Sequence, residues 1–157
     1  MDAAYNLARW LIRNEHDAED AVQEAYLRAF HFFDGFRGGD GRAWLLAIVR
    51  NTCFTWLRKN RAQELMTVFD DEMPGVAADQ ATPESLQLRK ADSEALARAL
   101  DQLPAEFREV LILREMEGMS YREISEVAAV PIGTVMSRLA RARKRMQQDL
   151  ARAGATA

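Results

Sequence analysis

Apolar residues recur every three or four positions along most of the chain, a spacing that predicts helices rather than strands. A first helix is predicted over residues 3–14 and a second over residues 17–33, each with small and aliphatic side chains on one side. A third is predicted over residues 42–60, and its inward side chains would be Trp44, Leu45, Ile48, Trp56 and Leu57. Residues 34–41 contain four glycines in eight positions, so we expect a loop there.

The second half of the chain begins after a stretch in which apolar residues have neither helical nor strand spacing. Residues 62–81 carry acidic side chains and no basic one, which predicts a flexible acidic linker. Helical signals resume at Thr82-Pro83-Glu84, and this helix would reach Pro104 with Leu86, Leu96, Leu100 and Leu103 facing a core. Another helix is predicted over residues 105–117, ending at Gly118. The sequence therefore predicts an all-α fold with two small helical domains, residues 1–61 and 82–152, joined by the linker.

The most specific pattern lies between residues 120 and 150. Ser120 and Glu123 have the spacing of a capping box, in which each side chain accepts a hydrogen bond from the other residue's backbone amide. A short helix with Ile124, Val127 and Ala128 inward would stop at residues 130–133, because proline cannot continue a helix. Thr134 is then expected to cap a new helix whose buried side consists of Val135, Leu139, Ala142, Met146 and Leu150.

The opposite side of this last helix is polar and basic, and it carries Thr134, Ser137, Arg138, Arg141, Lys144 and Arg145. A short helix, a tight turn and an amphipathic helix with a basic outer face are typical of a helix-turn-helix DNA-binding domain. The planar guanidinium of arginine can bond a guanine edge or a phosphate in two places. A solvated helix of a bundle could carry the same charges, but the turn and the capping box favour DNA binding.

Composition and charge exclude several classes of protein and indicate what kinds of partner to expect. Cys53 is the one cysteine, so a disulfide framework is excluded, and we expect an ordinary core residue there. His16 and His31 lie too far apart for a metal site, and no run of eighteen apolar residues is present. A soluble, cytoplasmic protein without metal or cofactor is expected. The net charge of −3 hides basic patches on either side of an acidic stretch, which indicates more than one kind of partner.

Three segments resemble the extracytoplasmic-function (group IV) sigma factors of bacterial RNA polymerase. Residues 120–145, SYREISEVAAVPIGTVMSRLARARKR, resemble their C-terminal DNA-binding domain. Residues 17–30, DAEDAVQEAYLRAF, resemble their polymerase-binding helix, and residues 44–58, WLLAIVRNTCFTWLR, their promoter-melting helix. The three occur in the family's order, and the linker lies where the family has one. The family usually has a further helix before the point at which this sequence starts.

The resemblance implies a role for each surface. It implies that core RNA polymerase binds Asp20, Gln23, Glu24 and Leu27, and that the upstream (minus-thirty-five) promoter element binds the basic side of the last helix. It also implies that the loop 34–42 and Asn51 receive a base flipped out of the minus-ten element, with Arg37, Arg50, Thr55, Arg58, Lys59 and Arg61 around the single strand. On the residues alone, the polymerase surface would be a solvated helix face and Asn51 an ordinary surface residue.

The function implied is promoter-specific initiation with core RNA polymerase, regulated by an anti-sigma factor. Two alternatives remain open. One is a sigma-like decoy that binds a regulator instead of DNA, and the other is a helix-turn-helix transcriptional regulator that acts without core polymerase. An enzyme is the least favoured class, because the sequence offers no nucleophile–base set and no phosphate loop.

Overall fold

The structure, a computed structural model, describes residues 2–36, 38–66 and 87–155. Regular structure in these residues is helical throughout, which confirms the all-α prediction. The helices are α1 Ala3–Ile12, α2 Glu15–His31, a 3-10 turn at Phe33–Gly35, α3 Gly41–Met66, α4 Gln87–Gln102, α5 Ala105–Glu115, α6 Tyr121–Ala128 and α7 Ile132–Ala155. Residues 62–66, which we assigned to the linker, therefore continue α3. The rest of the linker and the predicted start at Thr82-Pro83-Glu84 lie outside the described residues.

The ends of the N-terminal helices are set by short polar side chains. Asp2 accepts a hydrogen bond from the Ala4 amide at 3.1 Å and begins α1, and the Tyr26 hydroxyl donates to the same carboxylate. Arg13 takes a left-handed backbone conformation, with φ 69°, and ends α1 two residues earlier than predicted. Asn14 then caps α2 by accepting from the Asp17 amide at 2.9 Å. Asp40 begins α3 in the same way, accepting from the Arg42 amide at 3.0 Å.

The buried side of α3 differs from the predicted one. Its fully buried residues are Ala43, Leu46, Val49, Thr52 and Cys53. Leu45, Ile48 and Trp56 are only partly buried against the core, and Trp44 packs instead on the Phe36 ring at 5.0 Å. The prediction was wrong because α3 contacts α1 and α2 on one side and α6 on another, so the helix has more than one apolar stripe.

Helices α4–α7 form the second half of the core. Val110, Leu111, Ile112 and Leu113 of α5 are buried, as are the predicted inward residues Ile124, Val127 and Ala128 of α6. Val135, Leu139, Ala142 and Met146 of α7 are also buried as predicted. Leu96 and Leu150 were predicted to be buried, but they are exposed along an apolar groove of about 310 Å³ between α4, α5 and α7.

The helix-turn-helix has the predicted capping box and a different turn. The Ser120 amide donates to Glu123 Oε1 at 2.8 Å, and the Glu123 amide donates to Ser120 Oγ at 3.1 Å. Ala129, with φ 58°, makes the turn after α6. The Thr134 amide donates to the Pro131 carbonyl at 2.9 Å, so α7 begins at Ile132. Thr134 therefore lies in the first turn of α7, and the prediction that it caps this helix was wrong.

The two halves of the chain pack against each other. Helix α1 contacts α5, α3 contacts α6, and the buried residues of both halves form one continuous apolar cluster. Arg108 of α5 is 4% exposed, donates to the Leu11 carbonyl of α1 at 3.1 Å, and burial lowers its pKa to about 10. At the surface, Arg42 of α3 pairs with Glu117 at 3.1 Å. This packing decides which polar surfaces of the two halves remain accessible.

Candidate nucleic-acid interface

The outer side of α7 presents a cationic face to solvent. Ser137, Arg141, Lys144 and Arg145 are exposed, and the Arg145 guanidinium lies 5.5 Å from the centroid of the Phe107 ring. Arg143 points away from this face and pairs with Glu115 at 2.8 Å on another side of the helix. The structure therefore brings most of the predicted upstream-element residues together on one accessible surface.

Thr134 and Arg138, which were also predicted to contact the upstream element, are half-buried. The Arg138 Nη1 atom is buried and has no hydrogen-bond partner among the described residues. Arg138 is therefore less accessible to DNA in this arrangement than Arg141.

A polar stripe runs along α3, as the spacing of its residues predicts. The Thr55 hydroxyl donates to the Asn51 carbonyl at 2.9 Å, and Arg58 Nη2 donates to Thr55 Oγ1 at 3.3 Å. The Asn51, Arg58, Lys59 and Arg61 side chains are exposed. Before α3, Gly38 and Gly39 have φ values of 89° and 82°, a conformation that a side chain would strain. Arg37 lies outside the described residues.

Arg50 does not stand free beside this stripe. Its Nε atom lies 2.5 Å from Oε1 of Glu109, a fully buried residue of α5, and its Nη2 atom lies 3.4 Å from the other carboxylate oxygen. Its guanidinium also lies 4.1 Å from the centroid of the Phe54 ring and donates to Asn51 Oδ1 at 3.2 Å. We expected Arg50 to hold single-strand phosphates, whereas here it is engaged by the other half of the chain.

Glu109 was missed by the sequence analysis. Burial raises the pKa of its carboxyl group, and the hydrogen bond and charge of Arg50 act in the opposite direction. The available signal was an acidic residue directly before the apolar run Val110–Leu113. Its partner could not be predicted, because Arg50 precedes it by 59 residues.

A third surface lies on α2. Asp20, Gln23, Glu24 and Leu27 are all exposed, with Glu24 paired to Arg28 at 2.7 Å and Leu27 72% exposed. Phe30, which the sequence analysis did not single out, is 85% exposed and follows Leu27 at helical spacing. Adjacent exposed apolar side chains with an acidic border are typical of a protein-binding surface.

The described part of the chain offers neither a metal site nor a membrane-spanning helix. No three His, Cys, Asp or Glu side chains come together there as a metal site. None of the described helices combines the length and apolarity needed to cross a membrane.

Comparison with known proteins identifies the family. The Sigma-70 region 2 family model matches residues 1–63, and the Sigma-70 region 4 model matches residues 93–146. The ECF RNA polymerase sigma-E factor of Escherichia coli is 33% identical over 135 residues, which cover 82% of this chain and 71% of that protein. The chain belongs to the extracytoplasmic-function sigma factors. SigE of Mycolicibacterium smegmatis is 35% identical over 151 residues, 96% of this chain, and the chain spans 58% of the length of that relative.

Solved structures of sigma factors share the fold. The sigma factor RpoE in complex with the anti-sigma factor NepR from Bartonella quintana superposes with a TM-score of 0.76 at 33% identity, covering 95% of this chain and 90% of that one. CnrH in complex with the cytosolic domain of CnrY superposes with a TM-score of 0.66 at 27% identity, covering 95% and 80%. The family models cover the α2, α3 and α7 surfaces described above, whereas the residue roles and the domain boundaries 1–61 and 82–152 remain predictions.

Proposed function

We propose that this chain binds core RNA polymerase in the cytoplasm and directs it to promoters, under the control of an anti-sigma factor. The observation that carries the proposal is the exposed cationic side of α7. This helix is the second of the helix-turn-helix, whose first helix begins with the capping box. In this role the chain positions the polymerase, and we assign it no catalytic activity of its own.

The α7 face would contact the upstream element. Arg141, Lys144 and Arg145 are exposed cations on one side of a helix, the arrangement that binds phosphates and base edges in a major groove. Arg138 lies on the same side and would join them once its surroundings change.

The α3 stripe would contact the melted minus-ten element. Asn51 is exposed, and its amide offers both a donor and an acceptor to an unstacked base. Arg58, Lys59 and Arg61 are exposed along the same helix and would hold the phosphates of the single strand.

The α2 face would contact the polymerase. Leu27 and Phe30 supply an apolar anchor, and Asp20 and Glu24 supply negative charge beside it. Apolar anchors with a charged border are the usual composition of a specific protein interface.

The similar solved structures support control by an anti-sigma factor. Both were determined as complexes, RpoE with the anti-sigma factor NepR and CnrH with the cytosolic domain of CnrY. Their likeness to this chain extends over 95% of its length in each case, which supports regulation of the same kind here.

In vitro transcription with core polymerase over a library of promoters tests the proposal. We expect initiation at a defined promoter class, and we expect the Asp20→Lys/Glu24→Lys double variant to lose both initiation and co-purification with the polymerase. The double variant should retain upstream duplex binding, because both positions are exposed on α2, away from α7. Initiation no better than that of core polymerase alone would contradict the proposal. Duplex binding without polymerase binding would then indicate a transcriptional regulator, and neither activity would indicate a decoy.

A further inference from the structure

One buried ion pair joins the two halves of the chain. The carboxylate of Glu109, on α5, is completely buried and lies against Arg50 of α3, whose side chain is only 17% exposed. Arg50 donates hydrogen bonds from Nε and Nη2 to the carboxylate of Glu109 and from Nη1 to the side-chain oxygen of Asn51. Each nitrogen of this guanidinium therefore has a hydrogen-bond partner within the protein, and a phosphate would have to displace Glu109 to bind the Nε and Nη2 edge.

A second arginine lies near the same carboxylate. Arg138 of α7 acts electrostatically on Glu109, and one of its terminal nitrogens is buried without a hydrogen-bond partner among the described residues. Arg50 belongs to the proposed minus-ten surface and Arg138 to the proposed upstream surface. One carboxylate thus pairs with an arginine of one proposed DNA-contacting surface and is influenced by the charge of an arginine of the other.

The dimensions of a promoter do not allow this arrangement during initiation. By their names the two elements lie at minus thirty-five and minus ten, about 25 base pairs apart, which at about 3.4 Å per pair is about 85 Å of duplex. Here α3 is packed directly on α6, the first helix of the helix-turn-helix. The halves must therefore separate, and the Arg50–Glu109 pair must break, before both elements are bound.

We propose that Glu109 is a latch that holds the free protein in a closed form and changes partner from Arg50 to Arg138 when the halves separate. The inference rests on the proposed function, because the closed form is inactive only with respect to a promoter. A buried carboxylate left without any partner is strongly unfavourable. Arg138 lies in the same half as Glu109, so it can keep this carboxylate paired in the open form while Arg50 and Asn51 become available to DNA.

The other polar contacts between the halves are weaker candidates for this role. Arg42–Glu117 and Arg13–Asp101 also join the halves, but the Arg42 and Arg13 side chains are 45% and 44% exposed. Exposed ion pairs contribute little to stability, because water and salt screen them. Among the ion pairs that join the halves in the described residues, only Arg50–Glu109 has a completely buried carboxylate.

The distance between the halves in the free, full-length protein tests the latch. Glu15 and Glu126 are exposed, one in each half, and cysteines at these positions can carry a fluorescent pair. Cys53 is fully buried with a pKa raised to about 12, so it competes poorly for the labels. We expect Glu109→Gln to shift the protein from one short distance to a longer and broader distribution.

Glu115→Gln is the matched control for this measurement. Glu115 lies on the same helix but pairs with Arg143 of its own half at 2.8 Å, so its removal should leave the distance unchanged. The same short distance in folded Glu109→Gln as in the wild type would overturn the latch. This measurement uses neither polymerase nor promoter, so it decides on the latch separately from the proposed function.

A second experiment does not depend on the folding of Glu109→Gln. Asn6 and Glu117 approach to 2.8 Å across the two halves, so cysteines at these positions can be joined by a bismaleimide with a reducible disulfide. We expect the locked full-length chain to lose transcription with core polymerase and to regain it after reduction. A locked chain as active as the reduced one would overturn the closed form as an inactive state. Failure of the wild type to initiate at any promoter would instead contradict the proposed function.

Discussion

The two candidate DNA-contacting surfaces have similar residues but differ in accessibility. On α7, Arg141, Lys144 and Arg145 are exposed, whereas on α3 Arg50 is engaged by a buried carboxylate of the other half. The difference arises from packing, because α7 turns its basic side to solvent while α3 is covered by α6 along another side. Residue type and helical spacing therefore indicate a candidate DNA-contacting surface, and tertiary contacts decide whether it is accessible.

This comparison predicts unequal DNA binding by the free protein. DNA must compete with Glu109 for Arg50, whereas Arg141 is exposed and none of the described acidic residues forms an ion pair with it. An ion pair with a fully buried carboxylate is much harder to exchange than a surface pair. We therefore expect the free chain to bind an upstream duplex more readily than minus-ten DNA.

The largest expected effect is that of Arg50→Ala on stability. The substitution leaves the buried Glu109 without its main partner, so we expect the free energy of unfolding to fall by about 2–3 kcal/mol, less than a fully stranded charge would cost because Arg138 remains near. Arg58→Ala, at an exposed position of the same helix, should change it by no more than about 0.5 kcal/mol. Urea denaturation at pH 7 measures both.

The pH dependence of Arg50→Ala provides an internal check. Burial raises the pKa of Glu109, and loss of Arg50 removes the strongest opposing influence. A folded state with a raised carboxyl pKa gains stability as it takes up a proton. The difference in free energy of unfolding between the wild type and Arg50→Ala should therefore shrink as the pH falls from 7 toward 5. Equal losses in free energy of unfolding for the Arg50 and Arg58 variants at pH 7 would show that the Arg50–Glu109 pair contributes nothing to the closed arrangement.

Asn51→Ala should affect base discrimination and leave stability unchanged. Asn51 is exposed, and we expect the variant to lose about 1–3 kcal/mol of preference at a single minus-ten position. Promoter melting on templates varied at each minus-ten base compares the variant with the wild type. A wild-type pattern of preference at every position would assign base discrimination to the loop 34–42.

Arg141→Ala tests the accessible surface. Removal of one phosphate contact should weaken upstream duplex binding several-fold and reduce the slope of log affinity against log salt by about one. Arg143→Ala is the control, since Arg143 faces Glu115 on another side of the same helix. Identical salt slopes for the wild type and Arg141→Ala would exclude Arg141 from the contact.

Features that depend on near neighbours were predicted well from the sequence. The capping box of Ser120 and Glu123, the buried side of α6 and the polar stripe through Asn51 all follow from spacings of three or four residues. Phe30 could have been found in the same way, because it continues the exposed side of Leu27 by three residues.

Features that depend on packing between distant segments were not predictable. The apolar residues of α3 form two stripes. The spacing of residues along the helix does not indicate which stripe packs on α1 and α2 and which packs on α6. The pairing of Arg50 with Glu109 depends on two segments 59 residues apart, so the local sequence around Arg50 indicated only an available cation.

The smallest expected effect concerns the thiol beneath the covered surface. Cys53 lies one turn beyond Arg50 and is fully buried, and burial first, then the charge of Glu109, raises its pKa from 9.0 to about 12. The unfolded chain therefore loses this proton at lower pH than the folded chain does, and the corresponding stability is present below pH 9 and is lost as the pH rises toward 12. At about 1.4 kcal/mol for each unit of pKa difference, the free energy of unfolding should fall by about 1 kcal/mol between pH 8 and pH 10. Urea denaturation of the wild type and Cys53→Ala at both pH values isolates this contribution, because the alanine variant should lack it whatever its packing costs. Parallel declines in the two proteins would show that the thiol does not titrate differently in the folded and unfolded states.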